Sequence, residues 1–175
     1  MAINTYYKTT TYGIDKIIKS VQLHLQNKLK WSGVVDIYGK VERTEKERGF
    51  TAEVWTSNKE YKEIFINDKV DAVIGFYPKT TRPIDGYNQE VVVDVICTCN
   101  LTKIFANTNR DDEKAIMDLL KALKSANYVN SADQIKVTIP TVFSDFDTSL
   151  IKHRDMQPLF VFSIEITIKF QEDDC

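Results

Sequence analysis

From Phe160 to Phe170 the chain alternates without a break. Phe160, Phe162, Ile164, Ile166, Ile168 and Phe170 point one way, and Val161, Ser163, Glu165, Thr167 and Lys169 the other. A period of two sustained over that length specifies a β-strand with one face on a core and the other toward solvent. Glu90 to Leu101 repeats the arrangement: Val91, Val93, Val95, Cys97, Cys99 and Leu101 share one face, and Val92, Asp94, Ile96, Thr98 and Asn100 share the other. At about 3.3 Å per residue each strand reaches roughly 36 to 40 Å. A domain of 175 residues has an expected diameter of about 40 Å. Both strands therefore cross the whole body, and the remaining elements pack against them or connect them.

The period changes elsewhere. Ile14, Ile17, Ile18, Val21, Leu25 and Leu29 recur at spacings of three and four, which predicts a helix over Tyr12 to Trp31. Asp15 stands near its positive end, Lys28 and Lys30 near its negative end, and Gly33 is placed to stop it. A second helix is predicted from an Asn109 N-cap to Ala126, with Asp111, Asp112 and Glu113 in its first turn. Its stripe is Ala115, Ile116, Leu119, Leu120 and Leu123. Shorter strands are expected at Val34 to Val41, Phe50 to Thr56, Asp71 to Tyr77 and Gln134 to Ile139, the last with Ile135, Val137 and Ile139 on one face. The charged run Glu42 to Arg48 reads as a solvated hairpin tip, and Tyr61, Ile64 and Phe65 as one face of a short helix. Lys79 to Gln89, with Pro83 and Gly86, reads as a loop, and residues 141–158 as an irregular connection. The chain is thus expected to be a single α+β domain over 1–175. It is a two-layer sandwich, a largely antiparallel sheet with two helices packed on one face. Residues 1–11 form an arm and 171–175 an acidic tail.

Composition excludes several classes. With 23 basic and 25 acidic residues, nothing demands the basic patch of a phosphate-tracking protein. Cys97 and Cys99 lie about 6.6 Å apart on one strand face, poorly spaced for a disulfide. They lack a second ligand pair for zinc and read as small buried hydrophobes. With Cys175 they make an odd count, which suits a reducing compartment. No apolar run approaches the roughly 18 residues of a membrane span, and the first residues do not read as a signal peptide. Nucleotide-binding glycine loops and the nucleophile elbow are missing from the sequence. His153-Arg154-Asp155 matches the start of a kinase catalytic loop, but Phe160 stands where that loop needs Asn.

The order of elements carries a resemblance. A helix opens the chain, the long strand Glu90 to Leu101 runs into the acidic-capped helix Asn109 to Ala126, and an irregular stretch leads to the last strand, Leu159 to Phe170. Over residues 12–170 this resembles the tail-terminator and neck-ring (head–tail joining) family of tailed bacteriophages, whose members are small α+β subunits. The insert Glu42 to Arg48 and residues 57–89 are longer than in the simplest members. The resemblance implies a homo-oligomeric ring, hexamer or dodecamer, in the neck or at the head-proximal end of the tail. Such a ring contacts portal, adaptor or tail proteins and lets DNA pass without sequence-specific binding. It is made in the host cytoplasm and carried in the virion, with no catalysis, no metal, no cofactor and no membrane. Under it, Asp94 and Glu165 face the channel, where carboxylates repel DNA. Glu42, Arg43, Lys46, Arg48, Lys79, Arg82, Asp145, Asp147 and Arg154 then belong to subunit-contact loops. Two other classes stand beside it. One is a monomeric cytoplasmic α+β adaptor or ligand-binding domain. The other is a metal-dependent hydrolase whose site gathers Asp145, Asp147, His153 and Arg154.

Overall fold

In chain order the elements are β1 (Ala2–Tyr6), α1 (Ile14–Lys28), β2 (Val34–Lys46), β3 (Gly49–Trp55), β4 (Tyr61–Glu63), β5 (Ala72–Asp85), β6 (Asn88–Asn100), α2 (Leu101–Phe105), α3 (Asp112–Lys124), β7 (Val129–Val137), α4 (Ile139–Val142) and β8 (Leu159–Gln171). The structure is a computed structural model. It describes residues 2–47, 49–56, 61–64, 67, 69–85, 88–106, 111–149, 151 and 157–171. The two long alternating stretches are β6 and β8, paired antiparallel in one uninterrupted register from Asn88↔Gln171 to Asn100↔Leu159. Around them the described strands form an eight-stranded sheet in the order β4-β3-β2-β5-β6-β8-β7, with β1 beside β2. Only β1–β2 and β2–β5 run parallel, so the sheet is largely antiparallel and the fold is α+β.

Helices α1 and α3 cover one face. Ile17, Ile18, Val21 and Leu25 of α1, and Ala115, Ile116, Leu119 and Leu123 of α3, meet Val91, Val93, Val95, Cys97 and Cys99 of β6 and Phe162, Ile164, Ile166 and Ile168 of β8. These are the residues that the two periods separate. Both cysteines are free, and burial, followed by the neighbouring Cys99 thiol, pushes the Cys97 thiol up. α1 ends at Lys28, before Gly33, which instead takes a left-handed φ of 81° at the start of β2.

The reverse face departs from the expectation of solvent. Ile96 and Val161 join Tyr38, Val41, Ala52, Val54, Ile139, Val142, Phe143 and Phe146 in a second core. The cause lies in β2, whose register against β5 shifts between Ile37 and Lys40. A bulge changes which residues face which side. Val35 and Ile37 serve the helix-side core, whereas Val41 serves the second. The far half of β2 then carries β3 and β4 over the reverse face.

Several expected loops are ladder. Glu42 to Lys46 lie in β2 and pair with β3, so the charged tip shrinks to the turn after Lys46. Tyr61 to Glu63 form β4, not a helix, and Ile64 N–H extends the pairing to the Ala52 carbonyl at 3.0 Å. The edge of β3 needs backbone partners; Phe65 lies outside the described residues. Lys79 to Asp85 belong to β5, and Asn88 and Gln89 to β6, which pairs with it antiparallel. Proline cannot donate to a ladder and is tolerated at bulges. The register shifts fall at Pro78/Thr80 and Pro83/Asp85, beyond the last contact of β5 with β2. β7 begins at Val129, and Ile139 leaves its line to start α4. α3 starts after Asp111; the expected Asn109 cap lies outside the described residues.

The arm is a strand held by side chains. Gln22 Nε2 donates to the carbonyls of Tyr6 (2.9 Å) and Ile37 (3.1 Å), and Gln26 Nε2 to that of Ile3 (2.9 Å). Buried Asp36 accepts from Asn4 Nδ2 (2.9 Å) and from the Tyr38 hydroxyl (3.0 Å), and the Tyr6 and Tyr38 rings stack with centres 4.7 Å apart. Two side chains measure the depth of this packing. Phe162→Ala, in the helix-side core, is expected to cost about 3–5 kcal/mol in urea unfolding. Ile135→Thr on the exposed side of β7 is expected to stay within about 0.5 kcal/mol.

Candidate functional site

The β6–β8 register sets Asp94 directly opposite Glu165. Like charges in that position repel, and Asp94 is only 2% exposed. Two lysines answer the repulsion. Lys79 Nζ lies 2.7 Å from Asp94 Oδ2 and 3.6 Å from Glu165 Oε2, and Lys136 Nζ lies 3.1 Å from the same Asp94 oxygen. Lys79 comes from the bulge of β5 and Lys136 from β7, so the cluster ties four strands. Asp94 Oδ1 and the hydroxyl of buried Ser163 have no partner among the described residues. Burial alone lowers the pKa of Lys79, but the bond to Asp94 and the attraction of Asp94 and Glu165 outweigh it and hold the amine above the ordinary lysine value. An amine nucleophile needs the opposite shift. The cluster stabilises charge across the sheet.

Asp94 therefore does not present its charge to solvent in this chain. The channel-facing expectation for it is corrected by burial and by its two lysine partners. Glu165 keeps 30% of its side chain exposed. Lys79, expected in a contact loop, is instead part of this cluster. Glu42 pairs with Lys40 at 3.2 Å, Lys46 with Glu53 at 2.7 Å, and the Arg43 guanidinium lies over the Phe50 ring, 3.6 Å from its centre. The first pair lies within β2 and the other two cross from β2 to β3, so these residues belong to a ladder rather than a loop. Asp145 stands near Tyr77, whose phenol is pushed up by burial first and then by that carboxylate. Asp147 N–H donates to the Phe50 carbonyl at 2.7 Å, and its Oδ1 accepts from Ser149 N–H at 2.9 Å. Arg48, His153, Arg154 and Asp155 lie outside the described residues, as does the Arg82 side chain. Among the described residues, no group of three or more His, Cys, Asp or Glu is arranged to hold a metal ion. None of the described helices is long and apolar enough to cross a membrane.

A second surface feature was only half legible. Ile135 and Val137 alternate in the sequence as core residues, yet they are 41% and 42% exposed. β7 is the last strand of the sheet, paired on one side by β8. At the other end, all three residues of β4 are exposed. The chain matches no family model, no curated protein and no solved structure.

Asp94→Ala strips the acceptor shared by Lys79 and Lys136. It is expected to cost about 3 kcal/mol, the low end for a broken buried pair, because both amines can turn toward water. Alkaline pH probes the same groups. Burial, then Asp36, raises the pKa of Tyr6 and Tyr38 above 10.0, and Lys79 sits above 10.5. A pKa raised by folding contributes stability in full below the unfolded value and loses it as pH climbs toward the folded one. The urea midpoint is expected to fall above about pH 10, and Tyr38→Phe to flatten that fall.

Proposed function

We propose that this chain is a structural subunit of a tailed-bacteriophage virion. It joins copies of itself into a ring in the neck or at the head-proximal end of the tail, around the DNA channel. The observation that carries the reading is the outer edge of β7, where Ile135 and Val137 stand exposed on a strand that has no second ladder partner among the described strands. Exposed apolar edges invite pairing with another chain. The sheet ends on unlike strands, β7 and β4. Contact between unlike surfaces is head to tail, and such a contact closes into a ring when its rotation divides a full turn. The order of elements described above supports the same assignment. In this reading the channel-facing charge rests on Glu165, and the neighbours along the axis are portal, adaptor or tail proteins.

Light scattering on the purified chain tests it. A ring gives a mass several times the 20.2 kDa subunit. Ile135→Lys with Val137→Lys is expected to return the single-subunit mass with unchanged circular dichroism. A wild-type chain that stays at 20.2 kDa at every concentration, alone and with neck proteins, overturns the reading.

A further inference from the structure

An open groove of about 380 Å³ lies between the end of α1 and the side of α3 that faces it. Buried Leu29 and Ala122 form its floor. Its walls carry four exposed lysines, Lys28, Lys30, Lys114 and Lys121, and one acid, Asp118. Asp118 is already engaged: its Oδ2 accepts from Lys114 Nζ at 3.0 Å and from the Trp31 indole N–H at 3.3 Å. Lys30 Nζ donates to the Asn27 carbonyl at 3.3 Å, a bond that leaves its charge unmatched. Lys28 and Lys121 have no hydrogen-bond or ion-pair partner among the described residues. The helix dipoles favour Lys28 and Lys121, each in a last turn. They give no reason for amines from two helices to converge on one groove with a single acid.

A groove lined by one sign of charge concentrates the opposite sign. Charge and length define what fits. Lys28, Lys30 and Lys121 offer three unmatched positive charges. Lys114 and Lys121 stand two turns apart on α3, so the groove runs for about 10 Å. That is the span of about three extended residues, each bearing a carboxylate. The chain itself carries such a segment. Glu172, Asp173 and Asp174 are three acids in a row with no base among them. They follow Gln171, the last residue of the β6–β8 ladder. Within one chain they would have to climb from the sheet past a helix about 10 Å across before entering the groove, which uses up their reach. A second copy presents the same residues without that limit.

We propose that the groove between α1 and α3 receives Glu172, Asp173 and Asp174 of a second copy of this chain, their carboxylates accepting from Lys28, Lys30 and Lys121. The inference does not rest on ring assembly through the β7 edge, because it uses the helix layer and the residues after β8.

The reporter is the Trp31 indole N–H in nitrogen–proton NMR spectra of the full chain, because its acceptor Asp118 lines the groove. Trp55, on β3, is the internal control. The Ile135→Lys, Val137→Lys background keeps the sheet edge out of the measurement, so failure here and failure of the ring are told apart. Titration with acetyl-Gln-Glu-Asp-Asp-amide is expected to shift Trp31 saturably and leave Trp55 in place. The neutral peptide acetyl-Gln-Gln-Asn-Asn-amide is expected to move neither. Lys28→Gln with Lys121→Gln, both exposed positions, should weaken binding about fivefold or more with the remaining spectrum dispersed as before. Salt at about 1 M should weaken it as well, since screening then acts within about 3 Å. In the chain alone, the Trp31 resonance is expected to move with protein concentration. Glu172→Gln with Asp173→Asn and Asp174→Asn should remove that dependence. No saturable shift, an equal shift with the neutral peptide, inorganic phosphate binding as tightly as the acidic peptide, or undiminished binding by the lysine variant overturns the proposal. A Trp31 resonance that ignores chain concentration overturns supply by a second copy.

Discussion

The unbroken ladder between β6 and β8 governs the rest of the molecule. Its pairs run from Asn88↔Gln171 to Asn100↔Leu159 without a bulge, so every side chain of both strands is committed to a face. One face carries valines, isoleucines, cysteines and Phe162, and α1 and α3 have nowhere else to bury their stripes. The other face brings Asp94 against Glu165. Two acids in direct opposition need counter-charge, and it arrives from both flanking strands. Lys79 reaches in because β5 bulges beside Pro78, and Lys136 because β7 borders β8.

Irregularity is concentrated where a continuous strand would leave something unmet. The shift in β2 after Ile37 turns the strand over, which lets Ala52 and Val54 of β3, together with Ile64, cap the second core. The shifts in β5 accommodate two prolines where that strand has β6 as its only ladder partner among the described strands. The same logic explains β1. A parallel strand at the margin of β2 gains little by itself, and it is secured by glutamines of α1 that hydrogen-bond to its carbonyls and by the Asp36, Tyr38 and Tyr6 group.

Function reads most naturally from the unfinished parts of this sheet. A long sheet whose end strands are unlike, with aliphatic side chains exposed on one of them, suits association between copies of the chain.

Local pattern by itself determined the two long strands, the stripes of α1 and α3, the pairing of cysteines on one buried face, and hence the α+β class. Each rests on a period of 2 or 3.6, which neighbouring residues alone can express. The hairpin joining Val41 to Phe50 was legible for the same reason. Tertiary structure decided everything that depends on who stands beside whom. Glu42 to Lys46 became strand because β3 was there to pair with, and Tyr61 became strand because the edge of β3 was open. Ile135 and Val137 carry the alternation of core residues, but β7 lies at the margin, where nothing in the described chain covers them. Asp94 carries the composition of a solvent-facing position, yet two lysines remote in sequence fold over it. Periodicity encodes which face a residue takes; only the assembled sheet says whether that face is covered.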